Sequence, residues 1–161
     1  MGEVEASGAK KTASVLWSLG CAALIMLVMA AIAGPKLVSS RLHGNESAAI
    51  GALKTLNNAQ QLYREKGNVS FGDLEALMGA EAIDQVLGGG TKQGYRFECA
   101  ASTAQPASAW AATAAPLTPG TTGDRYFAIN HEGVVYYTST APIEVDPASC
   151  AMPDGVQPVG R

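Results

Sequence analysis

Residues 13–33 read ASVLWSLGCAALIMLVMAAIA, a run of 21 residues without a single Asp, Glu, Lys, Arg or His. A helix of this length crosses about 30 Å of hydrocarbon. The run therefore predicts one membrane-spanning helix, with membrane lipid as its surroundings. In a chain of 161 residues it leaves room for one small domain, which is too little for most large cofactor-binding enzymes.

The residues that flank this run bear on its orientation. Residues 1–12 are short and polar, and we expect them to form a cytoplasmic leader. The basic residues are balanced, with Lys10 and Lys11 before the run and Lys36 and Arg41 after it. The part after the run is domain-sized and carries two cysteines, which suits an oxidising compartment. We therefore predict a single-pass protein of the cytoplasmic (inner) membrane, with its N-terminus inside and its C-terminal domain periplasmic or extracellular.

A cleaved secretory signal peptide is the alternative interpretation of the same segment. An Ala-x-Ala pattern occurs at residues 31–33, where a signal peptidase could cut. The apolar run is longer than the usual signal core of about 7–15 residues, and helix-compatible residues follow it. We favour an uncleaved or minimally trimmed anchor.

Residues 34–67 predict an amphipathic helix that continues the anchor. Gly34 and Pro35 predict a kink at its start, because proline lacks a backbone donor and crowds the preceding turn. Gly67 is a suitable residue to end the helix. The apolar stripe advances by steps of four, three, three and four residues: Ala49, Leu53, Leu56, Ala59 and Tyr63.

Residues 68–161 predict a small extracytoplasmic α+β domain. Ser70 and Asp73 resemble a capping arrangement for a short helix, residues 80–87 predict another helical turn or two, and Gly88–Gly90 predict a break. From residue 142 onward we expect a tail folded along the sheet. The predicted strands are residues 95–99, residues 110–114, and a hairpin of residues 125–129 and 134–138.

The predicted fold class is therefore α+β. A long N-terminal helix, membrane-spanning in its first half, packs on a small antiparallel β-sheet.

The sequence shows no catalytic, cofactor-binding or metal-ligating pattern. His43 and His131 have no HExxH or CxxC neighbours, and the three glycines at 88–90 lack the Lys and Ser/Thr of a phosphate loop. A net charge of −3 leaves no basic surface of the kind that nucleic acid requires. We therefore expect a protein that is not an enzyme, holds no cofactor and binds no nucleic acid.

Two cysteines, Cys99 and Cys150, lie outside the apolar run. A disulfide between them would close a loop of about 50 residues and stabilise the domain by a few kcal/mol. We predict this pairing, with two separate thiols as the alternative.

Several stretches carry a resemblance to a known family: residues 33–37 (AGPKL), 45–57 (NESAAIGALKTLN), 94–97 (GYRF), 119–127 (PGTTGDRYF) and 133–137 (GVVYY). Together with the order of leader, apolar helix, proline, amphipathic helix and small sheet, they resemble the type IV pilins and type II secretion pseudopilins. The resemblance spans roughly residues 15–140. It implies a pilin-like fold whose partners are other pilin-like subunits or the pilus or secretion machinery, with a homo-oligomer formed through the N-terminal helix.

The resemblance also implies where processing and assembly residues should lie. Counting back from Pro35 by the family's spacing places the processing glycine at Ala13, the new N-terminus at Ser14 and the assembly glutamate at Ser18. The chain departs from the family at the first and last of these positions. We therefore predict that it is not trimmed before Ser14.

These observations favour a non-enzymatic pilin-like or pseudopilin-like structural subunit, a minor or divergent component of a type IV pilus or type II secretion apparatus. The alternative is a stand-alone membrane-anchored binding or sensing domain that does not polymerise. The helix-to-sheet order favours the first, and the substituted positions Ala13 and Ser18 favour the second.

Overall fold

The computed structural model describes residues 39–160. The predicted leader, the apolar run, the kink at Gly34 and Pro35, and the processing positions Ala13, Ser14 and Ser18 all lie outside this range. Within it, no helix is both long and apolar enough to cross a bilayer. The helices are α1 (described over residues 39–65), α2 (Leu74–Gly79) and α3 (Gln85–Gly88).

Six strands form one antiparallel sheet in which every strand pairs with its neighbour in the chain, in the order β1-β2-β3-β4-β5-β6. The longest strands, β2 and β3, have seven residues each, and the four predicted strands are confirmed as β2, β3, β4 and β5. The strands are β1 (Thr91–Lys92), β2 (Tyr95–Ala101), β3 (Trp110–Pro116), β4 (Tyr126–Asn130), β5 (Val135–Thr138) and β6 (Gln157–Pro158).

The core lies between α1 and one face of this sheet. The alternation of β2 is visible in its burial, since Tyr95, Phe97 and Cys99 are buried while the residues between them are exposed. Leu53 and Leu56 of α1 are fully buried in the same cluster. The predicted α+β arrangement of a helix packed on an antiparallel sheet is thus confirmed for the described residues.

The helix boundaries after α1 differ from the predicted ones. Asp73 is itself the N-cap of α2, because its carboxylate accepts the Ala76 amide at 2.8 Å. Asp84 caps α3 in the same way through the Leu87 amide. Gly88 closes α3 instead of breaking the chain, and its tight contact with Met78 leaves no space for a Cβ atom.

The C-terminal segment returns across the other face of the sheet. Ile143 and Cys150 are buried there, and Cys150 packs with Ala109 and Ala111 in a second, smaller apolar cluster. Further along the chain, β6 pairs with β5 at the edge of the sheet. We call residues 142–147 the strap.

Candidate functional site

The two cysteines lie on opposite faces of the sheet. Cys99 points toward α1, where the side-chain amide of Gln60 donates to its sulfur at 3.2 Å. Cys150 packs against Ala111, and Ala111 faces away from α1 because its neighbour Ala112 belongs to the core. Both thiols are free, so the predicted disulfide is corrected: Cys99 faces α1, while Cys150 of the C-terminal segment packs on the opposite face of the sheet. Burial raises the pKa of Cys99 to about 12.

Glu46 holds the described N-terminal part of α1 to the loop between β3 and β4. Its carboxylate accepts two hydrogen bonds from the Arg125 guanidinium, at 2.8 and 3.0 Å, and one from the Asp124 amide at 3.0 Å. The side chain is only 3% exposed. A buried carboxylate is tolerated when it is paired and hydrogen-bonded in this way.

The pKa of Glu46 reflects this balance. Burial alone raises the pKa, but the hydrogen bonds from Arg125 and Asp124 and the positive charge of Arg125 outweigh it, so the pKa lies below its ordinary value. The carboxylate is therefore an anion at neutral pH. His43 lies nearby, with its Nδ1 atom 3.8 Å from the carboxylate, and it is mostly exposed.

The same loop has two further contacts with the body of the domain. Asn45 of α1 donates to the Thr122 carbonyl at 2.9 Å, and the Tyr95 hydroxyl donates to the Arg125 carbonyl at 2.9 Å. Gly123 lies so close to the Tyr95 ring that a Cβ atom would fall 1.9 Å from the hydroxyl. The loop is therefore held on both α1 and β2.

Gln60 holds the other end of α1. Its side-chain amide is fully buried, donates to the Gly72 carbonyl, and accepts the Gly72 amide at 3.0 Å. These two bonds complete the backbone hydrogen bonding of a loop that enters the core before α2. Together, Glu46 and Gln60 form what we call the two polar clamps of α1.

The face of the sheet opposite α1 carries a groove of about 660 Å³. Its floor is made of residues from β2 and β3: the small pair Ala100 and Ala111 lie opposite each other, and Glu98 lies opposite Thr113. The strap forms the facing wall, including Ile143 and Val145. The volume falls within the range of about 300–1,000 Å³ that is usual for ligand sites.

Acidic groups predominate around this groove. Glu98, Glu144 and Asp146 line it, and Arg96 is the one basic group among its lining residues. None of Arg96, Glu98 and Glu144 forms an ion pair within residues 39–160. Asp146 accepts hydrogen bonds from Ser149 and from the Ala148 amide, which keep its pKa below the ordinary value.

Neither histidine belongs to a metal site in the described part of the chain. No group of three or more His, Cys, Asp or Glu side chains converges there to hold a metal ion. His131 is exposed in the turn between β4 and β5.

Comparison of the chain with protein-family models, with curated proteins and with solved structures gives no match.

The polar clamps and the groove were not predicted from the sequence. A signal for the clamps exists, because Glu46 precedes Ala49 by three residues and Gln60 follows Leu56 by four, which places both on the apolar stripe. A polar residue at a core position requires a buried partner. The groove has no comparable signal, since it depends on where the strap crosses the sheet.

Proposed function

We propose that the chain is a non-enzymatic pilin-like or pseudopilin-like subunit, a minor or divergent component of a type IV pilus or type II secretion apparatus. The observation that carries the proposal is α1 lying on an antiparallel sheet, in a chain whose sequence before α1 has an uncharged run of 21 residues. The run would anchor the chain in the cytoplasmic membrane, and the domain would lie outside the cytoplasm. Its partners would be pilin-like subunits, copies of itself included.

Two features of the described residues support a mechanical role. The polar clamps fix α1 to the sheet near residues 46 and 60, so a force on α1 would be transmitted to the domain. The outward side of α1 is polar and carries small residues, with no atom within 4 Å of an added Cβ at Gly44 or Gly51. Another helix could approach this side closely.

The second candidate is a membrane-anchored binding domain that does not assemble. The groove opposite α1 is the observation that favours it, because a purely structural subunit has no need of a groove of about 660 Å³. The two candidates differ in whether the outward side of α1 contacts another copy.

Site-specific photo-crosslinking in membranes tests whether copies of the chain assemble through the outward side of α1. A photo-reactive phenylalanine analogue is placed at the exposed positions Ser47, Lys54 or Asn58 of α1, and two differently tagged copies are expressed together. Assembly predicts crosslinked species carrying both tags, at dimer size and above. The matched control is the analogue at Glu75, an exposed position on α2. If the chain remains monomeric with the analogue at each of the three α1 positions, the stand-alone domain is favoured.

A further inference from the structure

The groove between β2, β3 and the strap has the features of a peptide-binding surface. Ala100, Ala111 and Thr113 on its floor are small, so a neighbouring chain could approach the sheet closely there, while Arg96 and Glu98 of β2 stand on the same face. Residues of the extended strand β2 line the groove. It lies on the face of the sheet opposite α1, so it does not depend on assembly through that helix.

The strap leaves backbone groups available along the wall. Residues 141–145 form no backbone hydrogen bond with any other residue of the range 39–160. Backbone donors and acceptors in a protein interior or cleft normally have partners. An extended chain laid beside the strap could bond to them as an added strand does, with main-chain contacts providing affinity.

The charged side chains around the groove indicate the charge of the segment that it would bind. Three carboxylates, Glu98, Glu144 and Asp146, face one guanidinium, Arg96, around the groove. In an extended peptide, alternate side chains point to opposite sides. Small side chains could therefore rest on the alanines of the floor while basic ones reach toward the carboxylates around the groove.

We propose that this groove binds an extended segment of a partner protein in which small residues alternate with Lys or Arg. The inference goes beyond the proposed function, and either can fail without the other.

The test measures binding of a fluorescein-labelled heptapeptide of alternating lysine and alanine to the full chain in a nonionic detergent, by fluorescence anisotropy. A peptide with glutamate in place of lysine is the reference. We expect saturable binding of the basic peptide and binding of the acidic one at least about tenfold weaker, because charge complementarity selects the partner.

Two variants locate the site. The double variant Glu98→Gln/Glu144→Gln changes exposed carboxylates only, and we expect it to weaken binding about tenfold. The variant Thr113→Phe fills the floor and should weaken binding at least as much. The matched control Glu65→Gln/Glu132→Gln removes two exposed carboxylates that do not line the groove, and it should leave the affinity within about twofold.

Several outcomes would overturn the proposal. These are no binding of the basic peptide, equal binding of the acidic one, or equal losses in the double variant and its control. Displacement of the peptide by spermidine at an equal concentration would also overturn it, since that result describes a general cation site. The double variant keeps the proposal testable even if Thr113→Phe does not fold.

Discussion

At the scale of single residues, Glu46 places a charge where α1 meets the sheet. Its three hydrogen bonds offset the cost of taking a carboxylate out of water. Because they lower its pKa in the folded state, the free energy they contribute is present above the ordinary pKa of 4.5. It is lost as the pH falls through the folded-state pKa.

We predict that Glu46→Gln lowers the free energy of unfolding by about 2 kcal/mol at pH 7, because it removes the charge from two bonds to Arg125. The difference from the unchanged protein should shrink at acid pH, where the native carboxylate also becomes neutral. Urea unfolding followed by circular dichroism at pH 7 and pH 3 measures both. The control is Glu65→Gln, an exposed position on the same helix, and an equal loss in both variants would contradict the prediction.

The thiols give a second test at this scale. In a Cys21→Ser background, we expect the folded chain to resist iodoacetamide at pH 8, because burial raises the pKa values of Cys99 and Cys150 and limits access to both. In urea without reductant both should be alkylated. Intact-mass measurement counts the adducts. If the two cysteines are alkylated in urea only after a reductant is added, they form a disulfide and the prediction is wrong.

At the scale of elements, α1 is held to the rest of the domain by hydrogen bonds of Glu46 and Gln60. Apolar side chains between these two residues pack on the sheet. Leu53 and Leu56 supply the apolar part, while Gln60 satisfies both backbone groups of Gly72. Removing a buried partner costs more than the bond contributes, because the remaining groups stay desolvated.

The neighbouring glutamines of α1 offer a matched pair. We predict that Gln60→Leu lowers the free energy of unfolding by about 2–3 kcal/mol, since it leaves the Gly72 amide buried without a partner and the Gly72 carbonyl with only the weak Cys99 thiol donor. Gln61→Leu makes the same chemical change at an exposed position and should alter stability by less than about 0.5 kcal/mol. Thermal melting of both variants compares them. Equal losses would mean that Gly72 is satisfied without Gln60.

At the scale of the whole molecule, the proposed function depends on how the N-terminal segment is processed. In the pilin-like families to which the proposed function refers, the residue before the cut is a glycine. Ala13 occupies that place here and carries a Cβ atom. Lys10 and Lys11 would then stay attached and favour the inner headgroups, where cations are stabilised.

We predict that the chain is not trimmed between Ala13 and Ser14. Intact-mass measurement of protein extracted from the membrane decides this. A mature chain starting at Ser14, above all an N-methylated one, would contradict the prediction and would strengthen the comparison with ordinary pilins. The variant Ala13→Gly is the matched control. It places a glycine before the cut, so cleavage before Ser14 should increase.

The sequence by itself determined α1 and the four longer strands of the described domain. The apolar stripe of α1, the alternation of Tyr95, Phe97 and Cys99, and the hairpin around Gly133 are local patterns, in which neighbours along the chain specify the period. Such patterns indicate which side of an element is buried. The short strands β1 and β6 were missed because two residues are too few to show a period.

Only the tertiary structure decided which distant residues meet. Glu46 and Arg125 are 79 positions apart, and no local pattern links them. Cys99 and Cys150 were expected to pair, yet Cys99 points toward α1 while the C-terminal segment carries Cys150 across the opposite face of the sheet. The groove exists because small side chains on β2 and β3 meet a strap that returns from far along the chain. These features depend on non-local register and chain path, which local spacing does not encode.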